Sequence, residues 1–257
     1  LERCTTAAGQ WPDVAEELVV DLTDGPPPAP AGGALECRVL GGFSLRRDGV
    51  ALDVETLRPR HQEVLRVLAC TGGDWVHCDR IGTWLWPDSP ADRVRRAIQT
   101  AISGIRGLVD DHEGASRVER SGERYRLRAT SSDLGDVRDR LAAMAGAGPP
   151  DAVEHLTAFV ENWPGDLIPA AGSTEWAVEL RHELRRTTED AAVPAVRWLA
   201  AQATVTAGQA SAVGRLAEIV RDSDLLWHDA IELARRADQP ALAHRLDEQY
   251  RAVVGSP

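Results

Sequence analysis

Residues 91–109 read ADRVRRAIQTAISGIRGLV, and this stretch decides the fold. Its apolar residues recur at spacings of three and four, which predicts a helix with one buried stripe. That stripe consists of Val94, Ala97, Ile98, Ala101, Ile102, Ile105 and Leu108. The opposite side carries guanidinium, amide and hydroxyl groups, which can bond to phosphates and base edges in the major groove of DNA. These groups belong to Arg95, Arg96, Gln99, Thr100, Ser103 and Arg106. Taken alone, the stretch also fits an ordinary amphipathic helix with a solvated face.

The neighbouring segments favour a recognition helix. Upstream, residues 58–73 predict one helix that stops at Gly72, and residues 79–86 predict a second helix that ends before Pro87. Downstream, residues 117–128 read RVERSGERYRLR and predict two short strands around a turn. Helix, turn, helix and hairpin is the order of a winged helix-turn-helix domain.

The residues before these helices predict a small antiparallel sheet. Residues 35–54, LECRVLGGFSLRRDGVALDV, alternate apolar and polar side chains and contain a turn at Asp48-Gly49, so three short strands are expected. Before them, residues 1–34 contain a short stretch that could form a helix, followed by three consecutive prolines, a fourth at Pro30 and then two adjacent glycines. We therefore predict an acidic Pro/Gly-rich linker over 1–34 and a winged-helix domain over 35–130.

Residues 131–257 predict an all-α array. Helical segments are expected at 132–146, 151–163, 173–202, 210–222, 224–237 and 240–254, separated by Gly, Pro and polar breaks. Pro194 is expected to kink or divide the longest segment. The residues expected to fill the core are Trp163, Trp176, Trp198 and Trp227. Short helices joined by tight turns stack in antiparallel pairs and leave a groove for partners.

The charge is unevenly distributed along the chain. The 257 residues carry a formal net charge of -11, but residues 1–35 carry -5, residues 36–129 carry +2 and residues 130–257 carry -8. Only the expected winged helix is slightly basic, so any DNA affinity should be modest. The acidic second half is expected to recruit partners with basic or apolar segments.

The composition gives no indication of an enzyme, a cofactor or a metal site. No Gly-rich phosphate loop, nucleophile elbow or paired carboxylates occur, so no catalytic residue is assigned. The cysteines at 4, 37, 70 and 78 form no C-x-x-C pair and are interpreted as structural thiols, and the His77 and Cys78 neighbourhood fits no zinc pattern. No apolar run reaches the ~18 residues that a membrane span needs. We expect a cytoplasmic location, with this chain as the cytoplasmic part of a longer one and no membrane contact of its own.

Several of these strings together resemble a known family. RVLGGFSL, RPRHQEVLRVLA, DRIGTWLWPD, AIQTAISGIRGLV and GERYRL are similar, in this order, to the DNA-binding domain of Streptomyces antibiotic regulatory protein (SARP) type transcriptional regulators of actinobacteria. Residues 131–253 resemble the bacterial transcriptional activator domain that follows in that family, a helical array akin to tetratricopeptide repeats. The resemblance implies that Arg60, Arg120 and Arg124 also contact phosphate or the minor groove.

The chain departs from the family within the predicted recognition helix. Gly104 and Gly107 stand where the family usually has basic residues, and Ala101 stands where it has a polar or basic one. Each glycine costs a helix roughly 1 kcal/mol relative to alanine. DNA binding should therefore be weaker than the family implies, and Gly104→Arg is expected to strengthen it.

Two functional hypotheses follow. In the first, the chain is a regulator module whose winged helix binds promoter DNA and whose helical domain mediates dimerisation or protein contacts. In the second, the winged helix has lost DNA binding, and the piece is an interaction domain of a larger actinobacterial protein, with or without a membrane anchor.

Overall fold

Two small sheets and two groups of helices build the described part of the chain. A computed structural model describes residues 33–110 and 116–255. The linker and short helix expected before residue 33, and Cys4, lie outside the described residues.

The first sheet confirms the three expected strands. Strand β1 is Leu35–Arg38, β2 is Ser44–Arg47 and β3 is Val50–Ala51, and neighbouring strands pair antiparallel. Asp48 and Gly49 turn the chain between β2 and β3 with φ angles of 51° and 77°. Positive φ at both positions is the geometry that Asp-Gly hairpin turns favour.

Three helices follow in the predicted order. Helix α1 is Pro59–Cys70, α2 is Cys78–Leu85 and α3 is Ala91–Val109. Pro59 starts α1, where a missing backbone N–H costs nothing. The stripe of α3 predicted to be buried is buried at five positions, whereas Ala97 and Leu108 are only partly covered and Val109 is buried instead.

The second sheet contains the predicted hairpin. Strand β5 is Val118–Ser121 and β6 is Arg124–Leu127, and β4, Val76–His77, pairs with β6 on its other edge. We call the β5–β6 hairpin the wing.

The second half consists mainly of consecutive packed helices. Helix α4 is Asp133–Gly146, α5 is Pro149–Glu161, α6 is Glu175–Ala201, α7 is Ala207–Val220, α8 is Asp224–Arg236 and α9 is Pro240–Val254. Neighbouring helices pack on one another along this array. Trp176 and Trp227 are buried as expected, whereas Trp163 and Trp198 pack on the core with part of the ring exposed.

Two expectations about the second half need correction. Pro194 does not divide the longest segment, because α6 continues through it from Glu175 to Ala201. Residues 131–132 are not helical: they form strand β7, Ser131–Ser132, which pairs parallel with β1. Thr130 starts this pairing by donating its backbone N–H to Leu35 O at 2.7 Å. The pairing covers an edge of β1 that would otherwise be left open.

The two halves share a continuous hydrophobic core. Asp133, at the start of α4, accepts hydrogen bonds from the backbone N–H groups of Val39 and Leu40 at 3.0–3.1 Å. Leu40 in turn pairs with Leu167 in an isolated bridge. On another side, the Trp84 indole N–H of α2 donates to Glu179 Oε2 of α6 at 2.6 Å. The helical array is therefore fixed directly to the helix-turn-helix unit.

No helix within the described ranges combines the length and apolar character that crossing a membrane requires. The thiols of Cys37, Cys70 and Cys78 are buried and unpaired. Burial raises the pKa of Cys37 to about 12, with a further contribution from Asp133. The Cys37 thiol therefore stays protonated and unreactive, as expected of a structural cysteine.

Candidate nucleic-acid interface

The solvent-facing side of α3 carries four of the six contact residues predicted on this helix. Arg96, Gln99, Thr100 and Ser103 are all exposed there. Arg96 Nε donates to Asp92 O one turn earlier at 3.2 Å, and Thr100 Oγ1 donates to Arg96 O at 2.9 Å. These bonds hold the side chains along the helix and leave the other guanidinium nitrogens of Arg96 to solvent. We call Arg96, Gln99, Thr100 and Ser103 the α3 outer face.

Arg95 does not belong to this face, because it turns towards the wing. Its Nε lies 3.2 Å from Glu123 Oε1 at the wing turn, and its guanidinium is 3.8 Å from Asp92 Oδ1. The Glu123 carboxylate raises the pKa of Arg95 further above its already high value. The charge of Arg95 is therefore largely balanced within the protein.

Arg106 has a structural contact that the sequence did not predict. Its Nε and Nη2 both donate to Val118 O, at 3.1 and 2.6 Å, and its side chain is partly covered. This bidentate contact ties the last turn of α3 to the first residue of β5. Together with the Arg95–Glu123 pair, it shows that the wing lies alongside α3, with its base near Arg106 and its turn near Arg95.

The wing exposes the two other predicted arginines. Arg120 donates to Gly122 O at 2.8 Å and its guanidinium lies 5.8 Å from the Tyr125 ring, which fixes it across the turn. Arg124 is exposed and has no carboxylate partner among residues 33–110 and 116–255. At the base, Glu119 accepts from Arg126 at 2.7 Å and from Arg128 at 3.0 Å. Burial raises the pKa of Glu119, but these two arginines outweigh that effect and hold its pKa below the usual value.

The start of α1 borders the other side of α3. Arg60 lies 2.5 Å from Glu63 and 5.9 Å from the Trp86 ring, so its charge is partly balanced. A shallow cavity of about 470 Å³ separates α1 from α3 here, and its lining includes Arg58, Arg60, His61, Trp86, Ala97 and Thr100. Burial lowers the pKa of His61, and Arg58 lowers it further. His61 is accordingly neutral near pH 7 and adds no charge to this border.

The two glycines of α3 occupy different environments. A Cβ atom on Gly104 would lie 2.7 Å from His61 Nδ1, which is closer than real Cβ contacts, whereas a Cβ on Gly107 would meet nothing within 4 Å. Gly104 therefore allows α1 and α3 to approach, and only Gly107 leaves open space. The expectation that Gly104→Arg strengthens DNA binding therefore stays a prediction that requires His61 to move, whereas Gly107→Arg requires no such movement.

Two exposed arginines were missing from the sequence prediction. Arg93 lies in the first turn of α3 and Arg58 directly precedes α1, and neither forms an ion pair within the described part of the chain. Arg93 could have been found from the helical period, because it falls outside the buried stripe. Arg58 carries no such signal, because it precedes α1 and comes beside α3 only through the packing of α1 on α3.

The curated proteins that are similar to this chain include two named as transcriptional regulators. A transcriptional regulatory protein named MoaR1, from Mycobacterium tuberculosis, is 28% identical over 195 residues, which are 72% of this chain and 60% of that protein. The protein of the same name from Mycobacterium bovis is 28% identical over 150 residues, or 54% of this chain and 47% of that protein. The chain thus spans less than two thirds of the length of these relatives. No protein-family model matches it.

A solved structure shares the fold. EmbR from Mycobacterium tuberculosis, described in complex with a low-affinity phosphopeptide, superposes with a TM-score of 0.57 at 20% sequence identity, over 86% of this chain and 60% of that one. The mainly helical fold class, with a winged helix followed by a helical array, is confirmed. The curated relatives are named as transcriptional regulators and not as enzymes, in agreement with the sequence prediction.

Proposed function

This chain is similar to SARP-type transcriptional regulators, and from that premise we propose that its winged helix binds double-stranded promoter DNA. The observation that carries the proposal is the α3 outer face, where Arg96, Gln99 and Ser103 are exposed side by side. Cationic, amide and hydroxyl groups on one helical face match the acceptors and donors of a major groove. The wing on one side and the start of α1 on the other would meet the flanking phosphates.

The charge balance suggests modest affinity. Among the nine predicted contact residues, Arg60 and Arg95 have carboxylate partners, and Arg106 is bound to a backbone carbonyl. Arg96 and Arg124 are exposed without a carboxylate partner in the described ranges, and Arg93 joins them. Each cation that neutralises a phosphate releases condensed counterions, so binding should weaken steadily as salt increases. In this proposal Arg106 acts by positioning the wing.

A mobility-shift assay over a salt series tests the DNA-binding proposal. Removing one phosphate contact with Arg96→Gln should weaken binding to all sequences and lower the slope of log K against log salt by about one. Gly107→Arg should do the reverse, because it adds a cation in open space beside the α3 outer face. Gly104→Arg is the matched control, since the same new charge is introduced where His61 is in the way.

Gain of affinity is the more informative half of this test, because loss can arise from misfolding. The DNA-binding proposal is abandoned if the wild-type chain shows no salt-dependent binding at low ionic strength and a folded Gly107→Arg variant creates none.

A second function is favoured by one observation. Residues 130–257 carry a net charge of -8, so the helical array repels DNA and suits a partner with basic or apolar segments. We propose that this array mediates dimerisation or contacts with another protein. Neutralising several of its exposed acids should change the partner affinity, and unchanged affinity for every partner would refute the role. A cytoplasmic location is part of the regulator proposal, since bacterial promoters lie there.

A further inference from the structure

Three different metal-ligating groups meet where the wing turn touches the start of α2. His77 ends β4, Cys78 begins α2 and Glu123 lies in the wing turn. One ligand atom of each residue lies within 4.8 Å of the others. Half-buried His77 and exposed Glu123 are closer, since His77 Nε2 is 3.7 Å from Glu123 Oε2. We call these three residues the wing cluster.

The backbone fixes the wing cluster. His77 pairs with Arg124 in the sheet, and the Cys78 N–H donates to Glu123 O at 2.8 Å. Asp79 adds a fourth oxygen nearby: its Oδ1 is 3.7 Å from Cys78 Sγ and its Oδ2 is 3.4 Å from His77 Nδ1. The donors therefore come from secondary-structure elements that are already hydrogen-bonded to each other.

A cation already lies against the wing cluster, namely the guanidinium of Arg95. Its Nε is buried and lies 3.2 Å from Glu123 Oε1, but this nitrogen has no aligned hydrogen-bond partner in the described part of the chain. The guanidinium also forms a side-chain hydrogen bond with Cys78. The carboxylates of Glu123 and Asp92 lie 3.2 and 3.8 Å from this guanidinium. The arrangement attracts positive charge, but it leaves the buried Nε–H of the guanidinium without an aligned acceptor.

We propose that the wing cluster binds a divalent cation of the zinc type in place of the Arg95 guanidinium. One imidazole nitrogen, one sulfur and one carboxylate oxygen form a donor set that suits a borderline-soft ion, and Asp79 or water completes four-coordination. Tetrahedral zinc separates its ligand atoms by about 3.5 Å, so the donors need to close in by roughly 1 Å. Cys78 binds as thiolate, and its proton is released to solvent.

Ion binding has a consequence for α3, which rests on the proposed DNA-binding function. When the ion binds the Glu123 carboxylate, the ion pair between Glu123 and Arg95 is lost. Repulsion between the ion and the guanidinium then moves Arg95 away from the wing. Arg95 becomes available beside the α3 outer face. The ion should thus increase DNA affinity and raise the salt slope by about one.

Cobalt(II), which substitutes for zinc and gives a sulfur-to-metal charge-transfer absorption, is the probe for the 257-residue chain. The expected result is a near-ultraviolet band that saturates at one ion per chain. Cys78→Ser should abolish the band, and Glu123→Gln, an exposed change that cannot disturb the core, should weaken binding by about tenfold or more. Cys37→Ala is the matched control, because it removes a buried thiol outside the wing cluster.

Arg95→Gln provides the decisive variant. It removes the competing cation, so cobalt binding should tighten. The proposal is overturned if no charge-transfer band forms, if the band survives Cys78→Ser, or if Arg95→Gln leaves cobalt affinity unchanged. Because the band is read without DNA, its absence would refute the ion site and leave the DNA-binding proposal to its own assay.

Discussion

Arg96 and Arg106 lie on the same helix and have the same side chain, yet they have different surroundings. Arg96 is exposed and bonds only to its own helix, whereas Arg106 reaches across to Val118 O with two nitrogens. A hydrogen bond from a charged group typically contributes about 1.5–3 kcal/mol to stability. The role of each arginine therefore depends on what packs beside it.

Arg106→Gln should lower the free energy of unfolding by about 1.5–3 kcal/mol, because Val118 O loses its charged donor. Arg96→Gln should change it by less than about 0.5 kcal/mol, as expected of an exposed side chain. Urea unfolding followed by circular dichroism measures both variants. Equal stability of the two would mean that the Arg106 contact contributes nothing.

At the scale of elements, the wing depends on Glu119. The pKa of this carboxyl is lower in the folded chain than when unfolded, because Arg126 and Arg128 together outweigh the effect of its burial. Its contribution to stability is therefore fully present above the unfolded pKa and is lost as the pH falls through the folded pKa. Unfolding free energies measured from pH 7 downward should fall below about pH 4.5, and less steeply in Glu119→Gln. Glu154→Gln, an exposed change on α5, should follow the wild type.

Helix α6 contains an exposed proline in its interior. Pro194 has no backbone N–H to donate to the carbonyl four residues earlier. Pro240 lies in the first turn of α9, where a backbone N–H would have no partner within the helix. Pro194→Ala should stabilise the chain by about 1–3 kcal/mol, and Pro240→Ala should not. Chemical denaturation of the two variants checks this. A less stable Pro194→Ala protein would mean that the array requires the local geometry that proline imposes.

At the scale of the whole molecule, α2 is bonded to α6 across the two halves. Glu179 accepts from the Trp84 indole at 2.6 Å and from Arg80 at 3.1 Å, and Arg80 also lies 4.6 Å from the Trp84 ring. Trp84 is only 8% exposed, so its N–H has little access to water. This contact links the position of the helix-turn-helix unit to that of the helical array.

Glu179→Ala should cost about 1–3 kcal/mol of unfolding free energy, because it leaves a buried indole donor unsatisfied. Glu179→Gln should keep most of that stability, since its amide oxygen can still accept. Hydrogen exchange should also speed up in α2 of the alanine variant. If Glu179→Gln and Glu179→Ala lower the free energy of unfolding equally, the ion pair of Glu179 with Arg80 stabilises the contact and the hydrogen bond from the indole does not. Glu154→Ala is the control for loss of an exposed acidic side chain.

The local periodicities of the sequence determined the elements and their order. The spacing of apolar residues in 91–109, the Asp48-Gly49 turn and the proline at the start of α1 are short-range signals, because each reflects the geometry of a few consecutive residues. They were sufficient for the three strands, the helix-turn-helix, the wing and the helical array. The curated relatives support the regulator assignment made from the same strings.

Contacts between distant residues were decided by the tertiary structure alone. Arg106 binding Val118 O, Gly104 facing His61 and Glu179 accepting from Trp84 each depend on how elements pack, and the last pair lies 95 residues apart. Strand β7 forms for the same reason, because Ser131 and Ser132 have no local preference for a strand and pair only where β1 offers an edge. Side-chain type and spacing show which face of a helix is polar, but whether a cation on that face is available for a ligand depends on partners that folding brings beside it.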